Sequence, residues 1–261
     1  MTNPRDFHDD PFVRNRSTPR LVVFSGAGIS AESGISTFRD ANGLWEQHNI
    51  DDVCNIQTFD ENYDLVHKFY NQRRVQLGTV KPNIAHETVA MWQKKYGADR
   101  VSIITANVDD LFERAGAEKV THIHGKLTEM IVRYGEDAEH VEDIGYNAFD
   151  IEQWKLHNVR AKPNVVFFNE CFRYDAERNK VPIYDHMMDV LRTLTHEDTV
   201  MVIGTSETVV PIWYYIEARP CRTVWVNPEN SKHGQYDTSF IGSACRHILN
   251  IDEYLVKERM E

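Results

Sequence analysis

Cysteine is scarce in this chain. Four residues, Cys54, Cys171, Cys221 and Cys245, are scattered over 261 positions with no C-x-x-C pair. That spacing argues against a disulfide framework and an all-cysteine zinc site, and it fits a reducing cytoplasm. Long hydrophobic runs are missing as well. The longest, such as Leu21 to Phe24 and Val200 to Ile203, fall far short of the roughly 20 residues that cross a bilayer. Basic residues are outnumbered, 29 Lys and Arg against 40 Asp and Glu, for a formal charge of -11. Neither a nucleic-acid surface nor an anionic-membrane surface is therefore expected, although a local basic pocket is compatible with this balance. No internal repeat or low-complexity tract occurs, which excludes solenoids and linker-rich arrays. The opening stretch, Met1 to Arg20, lacks the apolar centre of a secretory signal and contains Pro4, Pro11 and Pro19. Residues 1–19 read as a flexible lead-in.

What is present is an ordinary globular composition, 41% hydrophobic and 26% charged, enough to bury a sizeable core and too apolar for intrinsic disorder. Short β-branched runs recur at Leu21 to Phe24, Val101 to Thr105, Val165 to Phe168, Val200 to Ile203 and Thr223 to Val226. Each has the length of a strand buried on both faces, and helix-like stretches separate them. This predicts an α/β fold on a Rossmann-like, doubly wound parallel sheet. Two smaller modules interrupt it. A helical insert over 46–97 has apolar faces at Leu65, Val66, Phe69 and Tyr70 and again from Ala85 to Lys95, and a small module over 127–163 has no steady period.

The first strand runs directly into Ser25-Gly26-Ala27-Gly28-Ile29-Ser30-Ala31, with Gly34 beyond. Small residues in this pattern let a backbone approach a pyrophosphate, with a helix N-terminus offering free N–H groups. A tight strand-to-helix turn without a ligand would read the same way. No acidic residue stands unambiguously at the end of a second strand about 20 residues on, which disfavours a hydride-transferring dehydrogenase. Further along, Thr121-His122-Ile123-His124 alternates, placing both histidines on one face of a predicted strand. Gly125 follows His124 and permits close approach of a ligand, and histidine titrates in the range of a general base. His122 reads as structural.

The longer stretch from Gly26 to Arg39, followed by Gly43-Leu44-Trp45, closely resembles the NAD-binding opening of the sirtuin family. Thr105-Ala106-Asn107-Val108-Asp109 resembles its T-Q-N-I-D segment, and His124-Gly125-x-Leu127 the motif of its catalytic histidine. Lys162-Pro163-Asn164-Val165-Val166-Phe167-Phe168-Asn169-Glu170 is similar to its substrate stretch, and Gly204-Thr205-Ser206 with Val209 and Pro211 to its G-T-S segment. Val226-Asn227 is similar to the pair that reaches the adenosine ribose, and Ala244 falls where an adenine-contacting loop is expected. The likeness covers roughly 20 to 255, and residues 20–261 are read as one catalytic domain.

The resemblance implies NAD as cofactor, held by Gly26, Ala27, Gly28, Ser30, Thr37, Phe38, Arg39, Trp45, Ala106, Asn107, Asp109, Gly204, Thr205, Ser206, Asn227 and Ala244. It implies His124, Asn107 and Asp109 as catalytic residues and Phe168, Asn169, Glu170 and Val210 as substrate contacts. In the implied reaction the acyl oxygen of a modified lysine attacks C1′ of the nicotinamide ribose and nicotinamide leaves. Water later frees the lysine and O-acyl-ADP-ribose. Phe69-Tyr70-Asn71-Gln72-Arg73-Arg74 with Lys81-Pro82-Asn83-Ile84-Ala85-His86 resembles the class III branch, which removes acidic acyl groups. Tyr70 and Arg73 project from one helix face, suited to a carboxylate, and Ala41 leaves room for a longer chain.

The sequence also departs from the family. Ala106 lacks the amide of the usual glutamine, Asn169 replaces a glycine, and Phe112 stands where histidine is common. Residues 127–163 carry none of the family's four zinc cysteines, and His140 and His157 have no cysteine partners, so no metal is expected. The function expected is an NAD-dependent lysine deacylase acting on acyl-lysine proteins or peptides in the cytoplasm, with a preference for succinyl or malonyl groups. The alternatives are an NAD glycohydrolase or ADP-ribosyltransferase using the same pocket, and a catalytically weak NAD-binding module.

Overall fold

The computed structural model describes residues 18–36, 44–45, 48–134, 140–152, 159–170, 183–253 and 260. In chain order the strands are β1 (Leu21–Ser25), β2 (Leu44–Trp45), β3 (His48–Asn49), β4 (Val101–Thr105), β5 (Val120–His122), β6 (Gly125–Tyr134), β7 (His140–Asp143), β8 (Val159–Val165), β9 (Thr199–Ile203), β10 (Arg222–Asn227) and β11 (Thr238–Ile241). The helices are α1 (Ile50–Val53), α2 (Tyr63–Thr79), α3 (Ile84–Tyr96), α4 (Leu111–Arg114), α5 (Ile183–Arg192), α6 (Trp213–Ile216) and α7 (Ala244–Ile251).

Successive strand residues point to opposite faces, and in β1 both faces are covered. Leu21 and Val23 join Val101, Ile103, Met201 and Ile203 in a core under α3 and α7. Val22 and Phe24 join Ile104, Val200 and Val202 in a second core that includes Met187 and Leu191 of α5. This two-sided burial explains why β1, β4, β9 and β10 read as apolar runs. Six strands form one parallel sheet in the order β11-β10-β9-β1-β4-β5. From β1 the chain proceeds to β4 on one side and later to β9 on the other. A crevice consequently opens at the carboxyl ends of these three strands, where an α/β sheet binds its ligands. There Ser25 is level with both Thr105 and Ile203.

A second, antiparallel sheet of order β7-β6-β8 has its own small core of Met130, Val132, Phe149 and Ala161. Helix α2 lies beside it. Val66, Phe69, Tyr70 and Leu77 of α2 pack with Leu127, Val165 and Phe167. Arg74, fully buried, donates from Nε to Leu127 O at 2.8 Å and from a terminal nitrogen to Asn71 Oδ1 at 2.8 Å, fastening α2 to β6. The stretch 46–97 divides by packing, because α3 belongs with the large sheet through Ala85, Val89 and Trp92.

One expected strand is corrected. Val165 to Phe168 does not enter the parallel sheet. Val165 ends the antiparallel β8, and Phe168 makes a single bridge to Asn55. The run is apolar because Val165 and Phe167 pack against α2, not because it crosses a sheet interior. No described helix is long and apolar enough to cross a membrane.

Candidate active site

The turns after β1 and β9 touch backbone to backbone. Gly28 N donates to Gly204 O at 2.7 Å, and Gly26 N donates to Ile203 O at 3.1 Å. A side chain at Gly28 would place Cβ 2.7 Å from Gly204 O, and Gly204 itself has φ +64. Instead of opening an α-helix as expected, the glycine segment winds into two short 3₁₀ turns, Ala27–Ile29 and Ala31–Ser33. The result is a cradle of small residues, which suits a pyrophosphate because backbone N–H groups can approach it closely.

Beneath the cradle a buried polar cluster centres on Ser30. Its Oγ donates to Asp109 Oδ2 at 2.9 Å, accepts from Asn107 Nδ2 at 3.1 Å and lies 3.3 Å from His86 Nε2. With the Ser30 proton given to the Asp109 carboxylate, His86 donates from Nε2 and its Nδ1 accepts from Asn83 N at 3.3 Å. That last contact belongs to the capping box that starts α3. Burial raises the Asp109 pKa, and the Ser30 hydrogen bond works against it.

Burial holds the His86 ring down to a pKa of about 4, whereas an unfolded histidine titrates near 6.5. Below the unfolded value the denatured chain binds a proton that the native ring refuses. The contribution of neutral His86 is therefore complete above that value and falls by about 2 kcal/mol between pH 7 and pH 5. Urea unfolding at both pH values should show this loss in the unmodified protein and not in His86→Gln, and equal losses would contradict it.

Across the crevice, His124 follows β5 in a turn, so it does not share a strand face with His122 as expected. The strand ends at His122, and Gly125 at φ +82 lies so close to Asn164 O that a Cβ would meet it at 2.0 Å. His124 Nδ1 donates to Ala106 O at 3.0 Å, which leaves Nε2 unprotonated in the neutral ring. Burial lowers the His124 pKa, with the Ala106 contact opposing. The ring is thus a free base at neutral pH.

Gly26, Gly28, Gly204, Asn107, Asp109 and His124 line one cavity of about 910 Å³, within the usual range for small-molecule sites. Part of its wall is formed by α2 and by residues 165–170. Tyr70 stacks on Phe167 with centroids 5.6 Å apart and planes 15° apart, and the Arg73 guanidinium lies 5.7 Å from the Phe69 centroid. Behind them Lys162 Nζ pairs with Glu170 Oε2 at 3.0 Å, and Glu170 also accepts from Phe167 N at 2.8 Å. Cys54 lines the same end; burial raises its pKa, opposed by a hydrogen bond with Tyr70.

The Sir2 family model matches residues 26–211. The chain belongs to the Sir2 family. An NAD-dependent protein deacylase of Helicobacter hepaticus is 42% identical over 214 residues, 74% of this chain and 77% of that protein. The NAD-dependent protein deacylase SIR2rp3 of Trypanosoma brucei brucei is 37% identical over 88% of this chain and 91% of its own. A crystal structure of a Sir2 homolog–NAD complex superposes with a TM-score of 0.75 at 28% identity, covering 95% of this chain and 92% of that one.

Of the residues that the Sir2 motifs single out, Gly26, Ala27, Gly28, Ala106, Asn107, Asp109, His124, Gly204, Thr205, Ser206 and Asn227 line the cavity, as do Tyr70, Arg73, Phe168, Asn169, Glu170 and Val210. Ser30 does not line it. It is fully buried and its hydroxyl is spent on the cluster around Asn107 and Asp109. Ala244 does not line it either, because it packs into the core at the start of α7 while its neighbour Ser243 faces the cavity. Thr37, Phe38, Arg39 and Ala41 lie outside the described residues, as do Cys171 and His157, and of Trp45 only the backbone, in β2, is described.

Asn169, where the family has glycine, adopts a left-handed conformation at φ +59, one that asparagine tolerates. Its amide donates to Asn55 Oδ1 at 3.3 Å. Phe112 meets the His86 ring edge-on at 5.0 Å. Cys54, Glu32, Pro228 and Glu229 also line the cavity, and no local pattern marks them in the sequence.

Proposed function

We propose that this chain, an NAD-dependent protein deacylase, removes acidic acyl groups such as succinyl or malonyl from lysine side chains. The observation that carries the reading is the placement of Tyr70 and Arg73 in the same cavity as His124 and Asn107. The cavity fits NAD. The turns at Gly28 and Gly204 form a cradle that a side chain would fill, and the amide of Asn107 and carboxylate of Asp109 stand beside it. When bound, NAD supplies an electrophilic ribose carbon that carries nicotinamide as leaving group.

The chain's own residues do the rest. Asn107, Asp109 and Asn227 hold the ribose and carboxamide groups, with Ser30 and His86 fixing the first two. His124 takes a proton at Nε2 from a ribose hydroxyl. Leu127, Val165 and Phe167 exclude water around the lysine stem, and Arg73 with Tyr70 receives the carboxylate of the acyl group by a charge-assisted hydrogen bond. Phe168 and Asn169 on one side, with Val210 on the other, flank an extended peptide that docks as an added strand.

Structural zinc does not fit the small module. Residues 127–163 contain no cysteine, and among the described residues no three His, Cys, Asp or Glu side chains converge on a metal position. The module is instead held by its Met130, Val132, Phe149 and Ala161 core and by Arg74.

Arg73→Met keeps the length and packing of the stem while removing the charge. Turnover of a succinyl-lysine peptide should fall about 10-fold to 100-fold, in line with a lost hydrogen bond to a charged group, with acetyl-lysine changing little. Equal losses on both peptides would remove the carboxylate clamp.

A further inference from the structure

Three consecutive carbonyls of the loop after β4 are held by residues between the end of β5 and the start of β6. Ala106 O accepts from His124 Nδ1 at 3.0 Å, Asn107 O accepts from His122 Nδ1 at 3.0 Å, and Val108 O accepts from Leu127 N at 2.8 Å. The middle bond has a charged backing. His122 donates from Nε2 to Glu113 Oε1 at 2.8 Å, and Lys126 Nζ reaches the same oxygen at 3.1 Å. A carbonyl and a carboxylate only accept, so both bonds form together only when each ring nitrogen carries a proton. Glu113 is held as a carboxylate. Burial raises its pKa, yet the hydrogen bond and charge of His122 overcome this and bring it down to about 2.

His122 is buried, at 3% exposure, and does not line the cavity. It therefore acts only through what it holds. The peptide it fixes carries Asn107, whose N–H is pinned to Thr105 Oγ1 at 3.0 Å and whose amide reaches Ser30 at 3.1 Å. The neighbouring carbonyl, Ala106 O, aims His124. The charge of His122 also lowers the pKa of Asp109 on the same loop.

We infer that His122, clamped by Glu113 and Lys126, is a positioning residue of the reaction, setting the 106–108 backbone and through it both Asn107 and the His124 ring. The inference rests on the proposed roles of Asn107 and His124. Its chemistry is a cationic ring wedged between a carbonyl and a carboxylate, which holds a backbone more tightly than a neutral contact because charge-assisted bonds are about twice as strong.

The test compares the full-length protein with His122→Leu and His122→Gln. His122→Leu should raise KM for NAD and lower kcat, each about 10-fold, while KM for the acyl peptide stays within about twofold. His122→Gln, which keeps one donor, should recover part of both losses. A role limited to folding would reduce the fraction of active enzyme and leave both KM values unchanged, and that result overturns the inference.

A readout independent of turnover is nitrogen NMR of histidine-labelled protein. Two ring N–H signals from His122 are expected, and a single one overturns the inference. If the unmodified protein shows no deacylation, the functional reading fails by itself. Calorimetric NAD binding then decides on His122: weaker binding in His122→Leu supports the positioning role, and unchanged binding overturns it.

Discussion

His124→Ala should reduce formation of deacylated peptide by about 100-fold to 10,000-fold, the range associated with loss of a positioned general base. Among the described residues that line the cavity, this ring combines a hydrogen bond fixing one nitrogen with a lowered pKa, and it shares the cavity with Asn107. Its side chain makes one described hydrogen bond, to Ala106 O, so the variant should fold with nearly unchanged thermal stability and still bind NAD. Because burial keeps the neutral ring favoured, the acid limb of the unmodified enzyme should lie below the ordinary histidine value. Activity of the variant within about tenfold of the unmodified protein would assign the proton transfer to another group.

Gly204→Ala should abolish NAD binding and cost several kcal/mol of stability. A Cβ at this position falls 2.3 Å from Ile29 N and 2.7 Å from Gly28 C, and the residue sits at φ +64. Nothing flexible can yield, because both neighbours are backbone of the cradle. The strain alone is worth about 1–3 kcal/mol, and separating the two turns adds to it. Gly34→Ala is the control. Its φ is +94, but the nearest atom is Val80 Cγ1 at 3.8 Å, so it should cost about 1–2 kcal/mol with NAD binding intact. Calorimetric titration with NAD and thermal melts of both variants check the pair. Binding by Gly204→Ala as tight as that of the unmodified protein would mean that the two turns do not form the nucleotide cradle.

Strands β1, β4, β9 and β10 of the large sheet are readable because burial on both faces demands apolar residues, as at Val22, Val23 and Phe24, whereas β11, half exposed, shows no such run. The same rule misassigns Val165 to Phe168. There the apolar residues answer to α2 and the cavity wall, and a short run cannot report which surface it meets. The small module escaped a periodic reading because β7 is mostly exposed and imposes almost no pattern on its residues. Alternation at Thr121 to His124 points to one strand face, but β5 ends at His122 and His124 lies in the turn before Gly125, at φ +82.

The cavity-lining motif residues were legible as local patterns: Gly26 and Gly28 after a strand, Asn107 and Asp109 beyond another. The motif marks Ser30 as an NAD contact and nothing local marks Cys54 or His86 as part of the site, since each acquires its place from partners distant in the chain. Ser30 meets Asp109 and His86 only through the fold, at sequence separations of 79 and 56. Ala244 packs into the core at the start of α7, while its neighbour Ser243 lines the cavity.

The central claim is that one cavity joins NAD to an acidic acyl-lysine. Mass spectrometry of nicotinamide released from NAD alone, and with acetyl-, succinyl- or malonyl-lysine peptides, tests it most directly. The account predicts release that requires an acyl peptide and is fastest with succinyl or malonyl groups. Release from NAD alone at the same rate, or an acetyl peptide outpacing both acidic ones, would contradict it.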